Sequence, residues 1–324
     1  MGTLPYLISF WALAACAGPA IGPMISGFSV TAENWRWALW EILWLAGPTF
    51  LVMFTLMPET NPGTILLNRA RRLRLSHTDT TTKLMSQSEI DQGNLSFNTM
   101  AINALYRPFQ LNLLDPSIAF TSVYTALMYA LFYSFFEAFP LVYIDIYHFN
   151  LGELGVVFLS AAVGFGIGTL VYMSWIKWYS TPRIAKNGFG PPEDALLPGL
   201  AAAFLMPIGM FIYGWTSKEG IHWIVPSIGV AIVTFGVFIV FQCVFLYLPM
   251  TYPAYVASLF AGNALVRSSL AAGSILYSGP LYGNLGVGPG SSLLACLMSA
   301  CVVGLWVLWY FGARLRARSK FSAK

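Results

Sequence analysis

Long apolar runs, each about twenty residues and bounded by charge, Pro or Gly, dominate the chain, and each is long enough to cross a bilayer as a helix. They fall at roughly 6–28, 37–57, 117–145, 151–176, 196–215, 222–248, 255–280 and 289–312. The pattern predicts an all-α polytopic membrane helix bundle of about eight spans. An even count puts both termini on one side.

One stretch breaks the pattern. Residues 61–115 are rich in Ser, Thr and charge and predict a polar linker, with a short amphipathic helix near 100–111. The chain thus divides into two spans (1–60), a linker (61–115) and six spans with a basic tail (116–324). Arg69, Arg71, Arg72 and Arg74 follow the second run, Lys177, Arg183 and Lys186 lie in the fourth connection, and Arg314, Arg316, Arg318 and Lys320 lie in the tail. With alternating spans these share one face, which the positive-inside rule makes cytoplasmic. The sequon Asn94-Leu95-Ser96 then lies where no glycan is added. The formal charge of +4 reports orientation in the bilayer, not affinity for nucleic acid.

Composition agrees. Of 324 residues, 57% are hydrophobic and 9% charged, too little polar surface for a water-facing fold of this size. The 11 Trp suit helix ends at headgroup depth. Cys16, Cys243, Cys296 and Cys301 all lie in apolar runs without ligand spacing and read as packing residues. His77, His148 and His222 form no metal or catalytic motif, so no metal, cofactor or enzymatic activity is expected.

Two spans, a linker and six spans match the second half of a twelve-span secondary transporter preceded by part of the first. Gly22-Pro23 with Gly27, and Gly279-Pro280 with Gly283, echo one another near the ends of the first and seventh runs, as related halves would. In the first run Ala14, Gly18, Gly22 and Ser26 recur every four residues, and Pro19 and Pro23 remove backbone donors. This is either a packing face or a bent, close-packed gate. Ser160, Gly164 and Gly168 make a second stripe.

Two charged residues stand inside spans. Glu137, in YSFFEAFPLVY, either lines an aqueous cavity, where desolvation would favour its protonated form, or reaches water near the outer end of its span. Arg267 lies too deep for easy snorkelling and needs a carboxylate, helix carbonyls or an anionic substrate group, in the cavity or as a tie between helices. Gln242, Asn263 and Ser268 could line the same region. Glu41 is expected at the interface.

These residues resemble the fungal drug:proton antiporters of the major facilitator superfamily, the twelve-span group of cycloheximide, fluconazole and polyamine resistance pumps. GPAIGPMISGF at 18–28 is similar to the antiporter motif of the fifth span, and NWRWALWEILWLAG at 34–47 with MPETNPGTILLNRARRLR at 57–74 to the sixth span and its exit. FFEAFPLVY, GWTSKEGIHWIVPSIG and SLFAGNALVRSSLAAG occupy the expected places in the second half. The resemblance implies that the eight runs are the fifth through twelfth spans, with the first four lacking and one wall of the cavity open to lipid. It implies proton-coupled efflux of small organic compounds, drugs or secondary metabolites, across the cell membrane or the vacuolar membrane, with protons, substrate and lipid as partners. Gly18, Pro19, Gly22, Pro23 and Gly27 match the motif that shapes the central interface; Glu137, Arg267, Gln242 and Asn263 are the expected pathway residues. Two departures are Ala14 and Pro5 in place of upstream glycines, and Ala195 where an Arg often follows, expected to weaken a cytoplasmic charge cluster. A chain without the first spans is alternatively a transport-incompetent or accessory helix-associating protein.

Overall fold

The computed structural model describes residues 4–76, 85–92, 97–188 and 190–319. His77, the Asn94 sequon and Lys320 lie outside the described residues. Among the described residues, eight helical segments are long and apolar enough to cross a membrane: Pro5–Ala32, Arg36–Leu56, Pro116–Ile146, Leu151–Asn187, Pro192–Thr216, Ile224–Thr251, Val256–Leu285 and Val287–Arg318. The number and order are those expected from the apolar runs. The fourth extends beyond its apolar run because Lys177, Trp178, Tyr179 and Arg183 continue the helix with side chains suited to the interface.

Two compact units emerge. The smaller, Leu39–Arg107, holds most of α2 (Arg36–Leu56), then α3 (Pro62–Ser76), α4 (Gln87–Gln92) and part of α5 (Phe97–Leu114). The helix expected near 100–111 is α5, whereas α3 is a further helix, of a polar character that apolar periodicity does not mark. Arg74 of α3 clasps Glu89 of α4 with Nη2 2.6 and 2.7 Å from the two carboxylate oxygens. That bond and the Ser86 backbone N–H hold the Glu89 carboxyl below its ordinary range.

The larger unit contains α1 (Leu4–Ala32) and everything from Pro108 onward. Its helices are α6 (Pro116–Phe136), α7 (Leu151–Val157), α8 (Leu159–Trp175), α9 (Thr181–Asn187), α10 (Leu197–Ala202), α11 (Leu205–Thr216), α12 (Ile224–Thr251), α13 (Val256–Leu285) and α14 (Val287–Arg318). Local chemistry sets several boundaries. Asp115 caps α6 by accepting from the Ser117 and Ile118 N–H groups, with Pro116 at the first helical position. Asn150 and Glu153 form a capping box at α7. Gly286, at φ 79°, separates α13 from α14. Residues Pro140–Ile146, following α6, take a wider π-helical winding.

α12 is the central helix, packed on α8, α10 and α11, while α13 lies along α6 and α14 packs on α6 and α11. In a bilayer such contacts depend on close fit, since lipid is as apolar as the side chains. Small residues provide it. A Cβ on Gly209 would meet the Gly229 carbonyl oxygen at 2.7 Å, and one on Gly229 the Gly209 oxygen at 2.8 Å, so α11 and α12 touch backbone to backbone. The stripe expected at Gly164 and Gly168 is such a seam, closing on Ala231, Thr234 and Phe238 of α12. Phe135, Phe139, Tyr143 and Tyr213 fill the interior, with Phe135 and Tyr213 ring centres 4.7 Å apart.

Candidate functional site

The segment 18–28 lies on α1, whose principal contacts are with α7 and α8. Only part of it meets them. A Cβ on Gly27 would stand 2.5 Å from the Leu151 carbonyl oxygen, and one on Gly152 would meet the Phe28 ring at 2.7 Å. Gly155 faces the Pro23 carbonyl and the Met24 Cα. Beside this seam is an open groove of about 230 Å³ between Pro23, Ser26 and Val30 on one side and Leu154 and Phe158 on the other. Gly18 and Gly22, by contrast, have nothing within 4 Å of a Cβ position, and the same holds for Gly279 and Gly283. Within this chain the close approach belongs to Pro23 and Gly27, while the Gly18 and Gly22 positions stay open. Gly152 and Gly155 escaped the sequence reading, although their spacing in NLGELG marks small residues on a capped helix.

A second constellation lies at mid-span. The Arg267 guanidinium sits 4.5 Å from the Tyr129 ring centre, 5.7 Å from that of Phe245 and 6.0 Å from that of Phe241. These rings come from α6 and α12, so one cation on α13 ties three helices together through its flat faces. Tyr129 and Tyr133 pair their hydroxyls at 3.0 Å. No carboxylate of the described residues approaches Arg267 within 4 Å, and its Nε is buried without a hydrogen-bond partner.

The other expected residues are placed separately. Asn263, 1% exposed, donates through Nδ2 to the Thr125 hydroxyl at 2.7 Å and so joins α13 to α6 one helical turn from Arg267. Gln242, 2% exposed on α12, has neither its amide oxygen nor its amide nitrogen bonded. Ser268 is exposed. Glu137 is exposed where α6 ends, while its neighbours Phe135 and Phe139 turn inward. It stands eight residues beyond Tyr129, roughly 12 Å along the helix axis, and makes no pair with Arg267. Glu41 is half-buried in α2.

Polar chemistry gathers at the end of the bundle where α6 begins and α14 finishes. Glu193 and Arg316 form an ion pair at 3.0 Å with side-chain exposures of 7% and 23%, and Asp194 pairs with Arg183 at 3.0 Å. Despite Ala195, the acidic pair is thus matched by two arginines. Asp115 accepts from the Tyr252 phenol at 3.1 Å and from the Ser319 hydroxyl. Burial pushes the Tyr252 phenol up from its ordinary range. Asp115 was also missed, though Asp-Pro before an apolar run is a helix-start signal.

Residues 3–278 match the model of the Major Facilitator Superfamily. The chain belongs to that superfamily. It is 42% identical over 320 residues to the MFS-type transporter pyvG of Aspergillus violaceofuscus, which covers 99% of this chain and 58% of that protein. To the transporter mfs1 of Schizosaccharomyces pombe it is 36% identical, covering 98% of this chain and 61% of that protein. Fluconazole resistance protein 1 of Saccharomyces cerevisiae is 35% identical over 98% of this chain and 58% of its own length. The chain therefore spans about three-fifths of the length of these relatives. No solved structure matches.

Proposed function

We propose that this chain takes part in proton-coupled efflux of small organic compounds by alternating access, as a membrane protein with both termini in the cytoplasm. The observation that carries this is the seam of Pro23 and Gly27 against Gly152 and Gly155, within the segment that resembles the antiporter motif. A contact made largely backbone to backbone, with the Phe28 ring laid over Gly152, lets two rigid groups of helices rock while staying closely packed. Residues 1–60 then belong to the first bundle, 61–115 to the linker and 116–324 to the second bundle. Arg267, Asn263 and Gln242 serve the substrate pathway, Glu137 exchanges protons with water, and Pro19, Gly18 and Gly22 complete the hinge face. The plasma membrane is the favoured location and the vacuolar membrane the alternative.

The test is accumulation of a fluorescent drug in an efflux-deficient fungal host expressing this chain, with and without a proton uncoupler. Lower accumulation that the uncoupler reverses, and that Glu137→Gln and Arg267→Ala abolish, is the expected result. Unchanged accumulation would favour a second reading, that the chain associates with other helices without moving substrate itself. The open Gly18 and Gly22 positions on α1 support that alternative.

A further inference from the structure

Resting on the transport reading, we propose that Arg267 anchors a negatively charged group of the transported compound, so that the preferred substrates are flat organic anions such as aromatic carboxylates and acidic phenols. The guanidinium is planar, and Tyr129, Phe245 and Phe241 surround it at 4.5–6.0 Å from their ring centres. Aromatic rings satisfy a cation's charge in part but accept none of its in-plane hydrogen bonds. The donor edge is what a carboxylate engages, through two parallel N–H bonds. Arg267 lacks a carboxylate partner among the described residues, and its Nε–H points at no acceptor. A charge held at mid-span without a counter-ion is costly, and an incoming anion lowers that cost while a cation raises it.

The surroundings match the body of such a ligand. Phe241, Phe245 and Phe260 form a continuous aromatic run, with successive ring centres 5.5 and 5.7 Å apart, beside the guanidinium. The Tyr129 and Tyr133 hydroxyls, paired with one another, add polar atoms next to the guanidinium through the Tyr129 ring. An aromatic cage by itself would suit a cationic guest. Here Arg267 already fills that role, so a second cation would meet like charge.

The test measures binding of 2-naphthoate and of its uncharged methyl ester to the purified chain in phosphatidylcholine nanodiscs, by equilibrium dialysis. Naphthoate is expected to bind at least tenfold more tightly than the ester, with the difference vanishing once the pH falls below the ligand's own pKa. Arg267→Gln should remove the preference, whereas Arg267→Lys should retain part of it. Equal binding of the two ligands by the unmodified chain, no measurable binding of naphthoate, or a preference surviving in Arg267→Gln would overturn the proposal. Because the first comparison needs no variant, a misfolded substitution leaves the proposal decidable. Adding phosphatidylserine to the nanodiscs should not displace naphthoate; displacement would assign the site to a lipid headgroup and overturn the substrate assignment. Loss of efflux with the anion preference intact would sink the transport reading alone, and efflux without the preference would sink only this one.

Discussion

Gly155 of α7 lies against the carbonyl of Pro23 on α1 with no room between them for a methyl group. Gly155→Val is therefore expected to force the two helices apart, costing about 1–3 kcal/mol as other overpacked contacts do. Gly18→Val, on the same helix but facing open space, should change stability by less than about 0.5 kcal/mol. Thermal unfolding of both variants in one detergent checks the contrast. Equal melting temperatures would show that the seam does not hold α1.

The Asn263 to Thr125 hydrogen bond spans α13 and α6. Bonds of this kind between membrane helices contribute about 0.6 kcal/mol on average and up to about 1.7. A double-mutant cycle with Asn263→Leu and Thr125→Val, read by unfolding in mixed micelles, should give a coupling in that range. Additive single-mutant effects would remove the bond from the list of forces joining these helices.

Breaking the Glu193–Arg316 pair from one side should be worse than removing both partners. Glu193 is 7% exposed, so Arg316→Ala leaves a buried carboxylate without its cation, and a loss of about 3 kcal/mol is expected. Replacing both by Leu should recover most of that loss, because two desolvated charges are removed together. Unfolding measured for the single and double variants decides it.

The Arg74–Glu89 clasp predicts a pH response in the smaller unit. The Glu89 carboxyl is held below its ordinary value by the Arg74 hydrogen bonds, so it favours the folded arrangement above the unfolded carboxylate's pKa. That contribution disappears as the pH falls through the lowered folded value, on the acid side of the ordinary carboxylate range. Spin labels on α3 and α4 should report a fixed separation at neutral pH and a broadened one in acid, and Glu89→Gln should show the broad distribution already at pH 7.

How much of this could be read from the chain depends on the kind of signal. Apolar runs are long-range averages, and all eight spans were legible from them, as was the close-packed face at Gly164 and Gly168. The offset between the Gly18 and Gly22 stripe and the true seam at Pro23 and Gly27 was not, because spacing names a face without naming its neighbour. Arg267 was legible as a cation inside a span from its depth in the apolar run, and the structure leaves it half-buried. Its partners were not: Phe241 and Phe245 sit on α12 and Tyr129 on α6, far away in sequence, and nothing local distinguishes them from the other aromatics of the spans. Glu137 illustrates the converse. Its aromatic neighbours in sequence leave a cavity and a water-reaching setting both open, and adjacent helical residues point in different directions, so Phe135 and Phe139 are buried while Glu137 is exposed.

The bond between Asp115 and Ser319 joins residues 204 positions apart. One oxygen of Asp115 serves the start of α6 as soon as that helix forms, whereas the other waits for the residue that follows α14. A single carboxylate thus closes the start of one helix and tethers the end of another that is distant along the chain.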